Sequence, residues 1–442
     1  MKRHILILVE NLSVPFDRRV WQEARTLARA GFRVTVICPT GVGQDTEREE
    51  VIEGVRILRY PLRAATGGPI GYLREYALAL WHTLRLAINV RRTARIDVVH
   101  ACNPPDLLFL VALFLRPGGA RFVFDQHDLV PELFLSRFPN GGRILYRLTR
   151  YVERMTYAAA DAVISTNESY RRVAIERGGM PPDRVTVVRS APDLGRFTVC
   201  PPDPNLRRDK RYLLAYLGVM GPQDGVDYAL RAVQHLRDDM GRNDFRCIFM
   251  GGGDVFDEMV SLSRELGVAD IVEFPGRVPD AFVESCLSTA DVCLSPDPWN
   301  PLNDVSTMNK VVEYMAMRRP IVSFDLVEAH VSAGDAAVYV RHNDELAFAK
   351  AIDELLRNPE RRLWMGETGR HRIEEELSWD VSSRALVRFY EQLLGVQRPS
   401  ERGRTVDQRH AEMGVQRDRR RLASRAPAVP LVGGALEGSA GV

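Results

Sequence analysis

Apolar residues along this chain fall into short dense runs, separated by stretches in which they recur every third or fourth position. HILILV, FRVTVICP, VRILRY (55–60), DVVHA (97–101), RFVFD (121–125), DAVIS (161–165) and RVTVV (184–188) have the length and β-branched content of buried strands. Between the first two, DRRVWQEARTLARAG sets Val20, Trp21, Ala24, Leu27 and Ala28 at helical spacing, and Gly31 ends that helix. The pattern predicts further helices over 71–95, near 106–115, over 141–157 and from Asn167. Residues 190–204, rich in proline, read as a linker.

The alternation then resumes. YLLAYLG (212–218), CIFMGGG (247–253), IVEF (271–274), DVCLS (291–295) and AVYV (337–340) read as strands, with helices between them and through Leu377. Strand–helix alternation repeated twice predicts an α/β protein. Its two doubly wound, Rossmann-like domains, 1–200 and 201–377, each carry a parallel sheet covered on both faces. Ser378-Trp379-Asp380 caps a last helix, 378–395. Residues 396–442 lose all periodicity and read as a disordered tail.

One stretch stands out, SPDPWNPLNDVSTMNKVVEYMAMRRPIVSFD from Ser295 to Asp325. It runs from a strand end through a polar loop into a helix capped at Ser306/Thr307, and then into a second strand. A helix N-terminus at the carboxyl end of a strand is where open α/β sheets hold phosphates. Lys310 and Glu313 lie three residues apart on one face of that helix, a cation for a diphosphate and a carboxylate for a ribose diol. The plain alternative is an exposed ion pair.

Composition removes several function classes. A formal net charge of +2 gives no reason for general nucleic-acid affinity. The N-terminal apolar run meets Glu10 and Asn11 too soon for a signal peptide. The longest apolar run, Leu107 to Leu115, is far short of a spanning helix. A cytoplasmic protein is expected, one that can still lie on the inner membrane face through the arginine- and aromatic-rich helices 71–95 and 141–157. Six cysteines without CxxC or His spacing read as buried free thiols. No GxGxxG follows the first strand, which disfavours a dinucleotide site there.

Two further clusters fall at strand ends. His127, with Asp128 and Glu132, follows RFVFD. Gly251, Gly252 and Gly253 with Asp254 make a glycine turn into a helix, a place where backbone can approach a ligand.

Taken together, HDLVPE after a strand, GGGD, FPGRV and KVVEYMAMRRPIV resemble the GT-B glycosyltransferases of family 4. NLSVPFDRRVWQEARTLARAGFRVTVICP and ADAVISTNESYRR extend the likeness toward the WbuB-type enzymes of bacterial surface-polysaccharide synthesis. The resemblance covers roughly residues 1–395. It implies retaining, metal-independent transfer of a hexose or N-acetylhexosamine from a nucleoside-diphosphate sugar, UDP being the expected nucleotide. The acceptor would be a saccharide or a polyprenyl-diphosphate-linked one, and no cofactor is implied.

The resemblance puts His127 at the histidine that hydrogen-bonds the donor sugar, and Glu313 at the ribose-gripping glutamate of an E-x7-E signature. Gly276, Arg277 and Val278 fall at the turn that reads the base. Asp128, Asn303, Asp304, Ser306, Thr307, Met308, Asn309, Gly251, Gly253 and Asp254 complete the expected binding set. Two departures stand out. The first glutamate of the signature falls at Val305, with Asp304 beside it, and the usual loop Arg and Lys fall at Val219 and Asp224. Lys310 is then the expected carrier of diphosphate charge. The competing readings are a catalytically inactive GT-B scaffold or regulatory subunit, and a GT-B nucleotide-sugar epimerase.

Overall fold

A computed structural model describes residues 2–41, 45–62, 68–138, 142–192, 194–195 and 197–396. The predicted tail therefore lies outside the described residues, except for Val396.

The first domain runs β1 (His4–Leu8), α1 (Arg18–Arg29), β2 (Arg33–Pro39), β3 (Glu49–Ile52), β4 (Val55–Tyr60), α2 (Gly68–Thr93) and β5 (Val98–Cys102). It continues with α3 (Phe109–Leu115), β6 (Arg121–Gln126), α4 (Val130–Arg137), α5 (Arg143–Ala159), β7 (Ala162–Ser165), α6 (Glu168–Glu176) and β8 (Val185–Val187). The sheet order is β3-β4-β2-β1-β5-β6-β7-β8. The central strands β1 and β5 are buried along their whole length, because helices cover both faces. Asp17 starts α1 by accepting from the Val20 amide at 3.1 Å, and Val20, Ala24 and Leu27 turn inward as the spacing predicts.

The sheet is parallel apart from one edge strand that the apolar pattern does not mark. Strand β3 pairs antiparallel with β4. Glu53 and Gly54 both take positive φ, the backbone of a two-residue hairpin turn. Glu49-Glu50-Val51-Ile52 has no apolar run to betray it, since it is a half-exposed edge guarded by charge. The predicted 106–115 helix also shortens to α3, preceded by a 3₁₀ turn at Asp106–Leu108.

The second domain runs β9 (Tyr212–Leu217), α7 (Val226–Asp238), β10 (Phe245–Met250), α8 (Phe256–Glu265), β11 (Val272–Gly276), α9 (Asp280–Thr289) and β12 (Val292–Ser295). It continues with α10 (Asn309–Ala316), β13 (Ile321–Phe324), α11 (Val327–Ala333), β14 (Ala337–Val340), α12 (Glu345–Arg357) and α13 (Pro359–Arg372). Its sheet is parallel throughout, in the order β11-β10-β9-β12-β13-β14.

Helix α14 (Trp379–Leu394) returns to the first domain. Trp379 Nε1 donates to Thr26 Oγ1 at 3.0 Å, and Tyr390 packs on Phe32.

The strand orders locate two crevices. In the first sheet the chain reverses direction between β1 and β5. In the second it reverses between β9 and β12, so the loops after those strands diverge and leave a gap at their carboxyl ends. All six cysteines are free, and five of them are buried.

Candidate active site

In the second domain the crevice is built by the loop 218–225 after β9 and the loop 296–308 after β12. Gly225 has φ 69°, and a Cβ there would stand 2.0 Å from the Pro296 carbonyl oxygen, so only glycine lets these loops meet. From α10, the Lys310 side chain crosses the gap. Its Nζ lies 5.2 Å from the Tyr216 ring centre, and its Cε would be 3.1 Å from a Cβ on Gly218. The ammonium therefore arrives, from the opposite side, beside the loop that has Val219 and Asp224 where cations were expected.

Lys310 does not stand alone. It is buried and donates to Asp297 Oδ1 at 2.5 Å, while Ser295 Oγ donates to Asp297 Oδ2 at 2.8 Å. Sequence reasoning missed Asp297. Asp224 adds a second acid. Burial pushes its carboxyl up to about 6, against the pull of Lys310 and with Asp297 acting in the same direction as burial.

The expected cap at Ser306/Thr307 is not what starts α10. Met308 is the N-cap residue, and no side chain caps the helix. The hydroxyls are engaged by the first domain instead: Asn167 Nδ2 donates to Thr307 Oγ1 (3.0 Å) and to the Val305 carbonyl (2.9 Å), and Tyr170 Oη bonds Ser306 Oγ (2.8 Å). Val305 packs with Leu129, Tyr170 and Leu302 in a small apolar plug, a poor place for the glutamate it replaces. Asp304 Oδ1 accepts from the Val327 amide at 3.0 Å, at the start of α11. Asn303 is buried and donates to the Gln223 and Pro298 carbonyls, both at 2.8 Å. Asn303, Asp304, Val305, Ser306 and Thr307 shape the loop and dock it. Met308 is partly buried and Asn309 is exposed; the Val311 amide bonds the Met308 carbonyl at 3.1 Å, and the amides before it in the first turn have no intrahelical acceptor.

Glu313 is half-buried, and Arg18 of the first domain reaches it: Nη1 donates to Glu313 Oε1 at 3.2 Å, and Nη2 to Asp280 Oδ1 at 3.0 Å. Arg277 lies over the Phe16 ring, 5.8 Å from its centre. Gly276 has φ 73° with open space around it, and Val278 packs into the core. A cavity of about 490 Å³ opens here, lined among others by Arg18, Arg19, Trp21, Arg25, Asn309 and Glu313. That volume is typical of small-molecule sites. The glycine turn has a reason within the protein itself. A Cβ at Gly251 would lie 1.8 Å from the Gly218 oxygen, and one at Gly253 2.5 Å from the Met220 oxygen, so these residues let two loops of the protein meet. Asp254 is exposed beside them.

On the first domain, His127 follows β6. Asn103 Oδ1 accepts from the His127 and Asp128 amides (2.7 and 3.1 Å), which fixes the turn. His127 Nε2 lies 2.6 Å from Asp125 Oδ2. Asp125 is fully buried, and it also bonds Arg19 Nη2 at 3.0 Å and His100 Nε2 at 3.1 Å. Burial opposes the Asp125 charge, but Arg19 and then His127 outweigh it and hold the carboxyl well below its usual range. Glu23, 2.9 Å from Arg19, goes the other way: burial pushes it well above its usual range despite Arg19. The two carboxyls around this one guanidinium are thus pushed in opposite directions. Burial also raises Asp128, opposed by His127 and Arg137. Glu132 pairs with Arg177 and is structural. Arg19 and Glu23 come from α1, His100 from β5 and Asp125 from β6, and the grouping carried no sequence signal.

His127 and the Glu23–Asp125 pair lie close enough to form a metal-sized group of ligand atoms. The Arg19 guanidinium already occupies both carboxyls, so a cation would have to displace it.

Residues 17–191 match the model of the glycosyl transferase 4-like domain, and residues 211–358 match that of glycosyl transferases group 1. An alpha-maltose-1-phosphate synthase of Mycolicibacterium smegmatis is 27% identical over 62% of this chain and 73% of its own length. An alpha-D-kanosaminyltransferase of Streptomyces kanamyceticus is 24% identical over 82% and 95%. Among solved structures, sucrose-phosphate synthase from Thermosynechococcus elongatus aligns with a TM-score of 0.71 at 18% identity, over 90% of this chain and all of that one. Anabaena Alr3699/HepE in complex with UDP aligns at 0.64 and 13%, over 90% and 100%.

Proposed function

The chain is a glycosyltransferase of GT-B fold and family 4 type, and from that premise we propose that it moves a hexose or N-acetylhexosamine from UDP to a saccharide or polyprenyl-diphosphate-linked acceptor, with retention and without a metal. The observation that carries this reading is Lys310 crossing from α10 to the β9 loop, while its helix neighbours Asn309 and Glu313 line, with Arg19, the cavity of about 490 Å³ on the other side of the helix start. The UDP complexes among the structural neighbours support the choice of nucleotide, as does the surface-polysaccharide resemblance for the acceptor.

The chemistry follows from these groups. The bond from the sugar C1 to the diphosphate oxygen breaks. The acceptor oxygen bonds C1 on the same face, and its proton passes to the departing phosphate oxygen. Lys310 and the α10 amides stabilise the charge that grows on the diphosphate, which is where electrostatic catalysis is most effective. Glu313 exchanges Arg18 for the ribose diol, and His127 orients the sugar. A screen of UDP- and GDP-sugars by mass spectrometry tests this. Nucleoside diphosphate release with one donor is expected, and absence of both release and binding would favour an inactive scaffold. Sugar inversion without an acceptor would favour an epimerase.

Asp224 makes donor binding sensitive to pH. Its folded-state value is raised to about 6, so its proton stabilises the fold at low pH, and that contribution is lost as pH rises through about 6. Above that pH it adds a negative charge beside Lys310. Asp224→Asn is therefore expected to tighten UDP binding at pH 7.5, while leaving it near the wild-type value at pH 5.5. Calorimetry at the two pH values reads this, and an equal change at both would remove Asp224 from the diphosphate site.

The acceptor side carries an exposed apolar and basic face. Ile144 (81% exposed), Leu148 and Tyr151 on α5 stand among Arg143, Arg147 and Arg154. Leu113 and Phe114 on α3, and Trp81 (63%) on α2, extend it. Among the described residues no helix is long and apolar enough to cross a membrane. Such a face suits an anionic lipid surface, at about 1 kcal/mol per arginine. Co-sedimentation with phosphatidylglycerol vesicles is expected, weakened by salt and by Ile144→Glu with Leu148→Glu. Equal binding by that double variant would locate any contact elsewhere.

A further inference from the structure

The chain of hydrogen bonds behind His127 does not stop at Asp125. His100 on β5 lies with Nε2 3.1 Å from Asp125 Oδ2 and Nδ1 2.5 Å from the Tyr390 hydroxyl, and both rings are fully buried. Tyr390 belongs to α14, and its ring stacks on His100 at an interplanar angle of 6°. A continuous path therefore runs from the returning helix, through His100 and Asp125, to the histidine at the first domain's strand ends.

The donor count fixes the direction of that path. A carboxylate only accepts, so both imidazole Nε2 atoms that meet Asp125 Oδ2 must carry protons. The neutral form of the His100 ring with Nε2 protonated has Nδ1 as an acceptor, and the Tyr390 hydroxyl donates its hydrogen bond there. By the same count the neutral His127 ring presents Nδ1 as a lone pair. The other groups against this path are Arg19 and Glu23 on α1 and Cys102 on β5, whose Sγ is 3.8 Å from Asp125.

We propose that Asp125 is the positioning residue for His127, holding it in the Nε2–H tautomer with Nδ1 turned to accept from a sugar hydroxyl, and that Tyr390 and His100 tie this orientation to α14. The proposal rests on the reading of His127 as the histidine that meets the donor sugar. It adds which ring nitrogen does so, and it makes the docking of α14 a condition for that geometry. A partner that fixes a ring through its second nitrogen is commonly worth about ten- to a hundredfold in function.

The test uses the full chain with ¹⁵N-labelled histidine. The His127 signal, assigned by its loss in His127→Gln, is expected at pH 7.5 to show Nε2–H coupling and an unprotonated Nδ1. Asp125→Asn leaves one acceptor oxygen, so the side chain must turn its NH2 either toward the Arg19 guanidinium or toward the two rings. It should mix the His127 tautomers and lower kcat for donor turnover about tenfold or more, with KM changed less than about twofold. Asp125 also holds Arg19, so Tyr390→Phe is the second variant: it removes one hydroxyl, and should shift both the His100 and the His127 signals and lower kcat a few-fold. An Nδ1–H tautomer in the wild type would overturn the proposal. So would a Tyr390→Phe protein with unchanged signals and unchanged kcat. If His127→Gln kept full turnover, the role of His127 would fall, whereas the tautomer assignment reads independently of turnover.

Discussion

Lys310→Met is expected to cut donor turnover by about a hundredfold or more, the scale of losing one group that stabilises transition-state charge. The loop cations implied by the resemblance are absent, with Val219 and Asp224 in their places, and Lys310 supplies an ammonium beside that loop. The substitution also strands Asp297, which is fully buried and keeps only Ser295. An uncompensated buried charge costs about 3–5 kcal/mol, so the single variant loses stability as well. Lys310→Met with Asp297→Asn removes both charges together. It should recover most of the denaturation midpoint and none of the turnover. Recovery of turnover in the double variant would show that the diphosphate charge is met elsewhere.

Arg19→Met has the largest expected effect on stability, about 3–5 kcal/mol, read as a fall in the urea midpoint. Arg19 is the guanidinium that holds Asp125 ionised, it borders Glu23, and it ties α1 to the Val188 carbonyl at 2.9 Å. The sign of the pH dependence follows. In the wild type the folded-state value of Asp125 is depressed, so its contribution is present above the unfolded value and is lost only as pH falls below it. Without Arg19, burial dominates and raises that value, and stability then falls as pH rises. The deficit of the variant should be larger at pH 8 than at pH 5. A loss of the same size at both would mean that Arg19 acts through packing alone.

Much of this architecture could be read from letters because it rests on local periodicity. The runs HILILV and YLLAYLG became β1 and β9, and DRRVWQEARTLARAG became α1, since buried strands and amphipathic helices write their period into the chain. The hairpin at Glu49–Ile52 was lost because an exposed edge strand writes none, although Glu-Gly between two short β-like segments was a usable turn signal. Lys310 and His127 were legible as chemistry-bearing residues next to strand ends. Their partners were not. Asp297 meets Lys310 only because the loop after β12 folds back over thirteen residues, and Asp125 gathers Arg19 from α1, His100 from β5 and His127 from the turn after β6. Ser306 and Thr307 looked like a helix cap because hydroxyls before an apolar run usually are one; Tyr170 and Asn167 claim them across the domains instead.

The account turns on where the donor's diphosphate charge is met, and calorimetry with UDP and with uridine reads that charge directly. Wild-type protein is expected to bind UDP about tenfold or more tighter than uridine, since charge-assisted hydrogen bonds to phosphate add to the nucleoside contacts. The Lys310→Met, Asp297→Asn protein should bind the two ligands nearly alike, with its uridine affinity retained. If that protein kept the full preference for UDP, Lys310 would not be the group that meets the diphosphate.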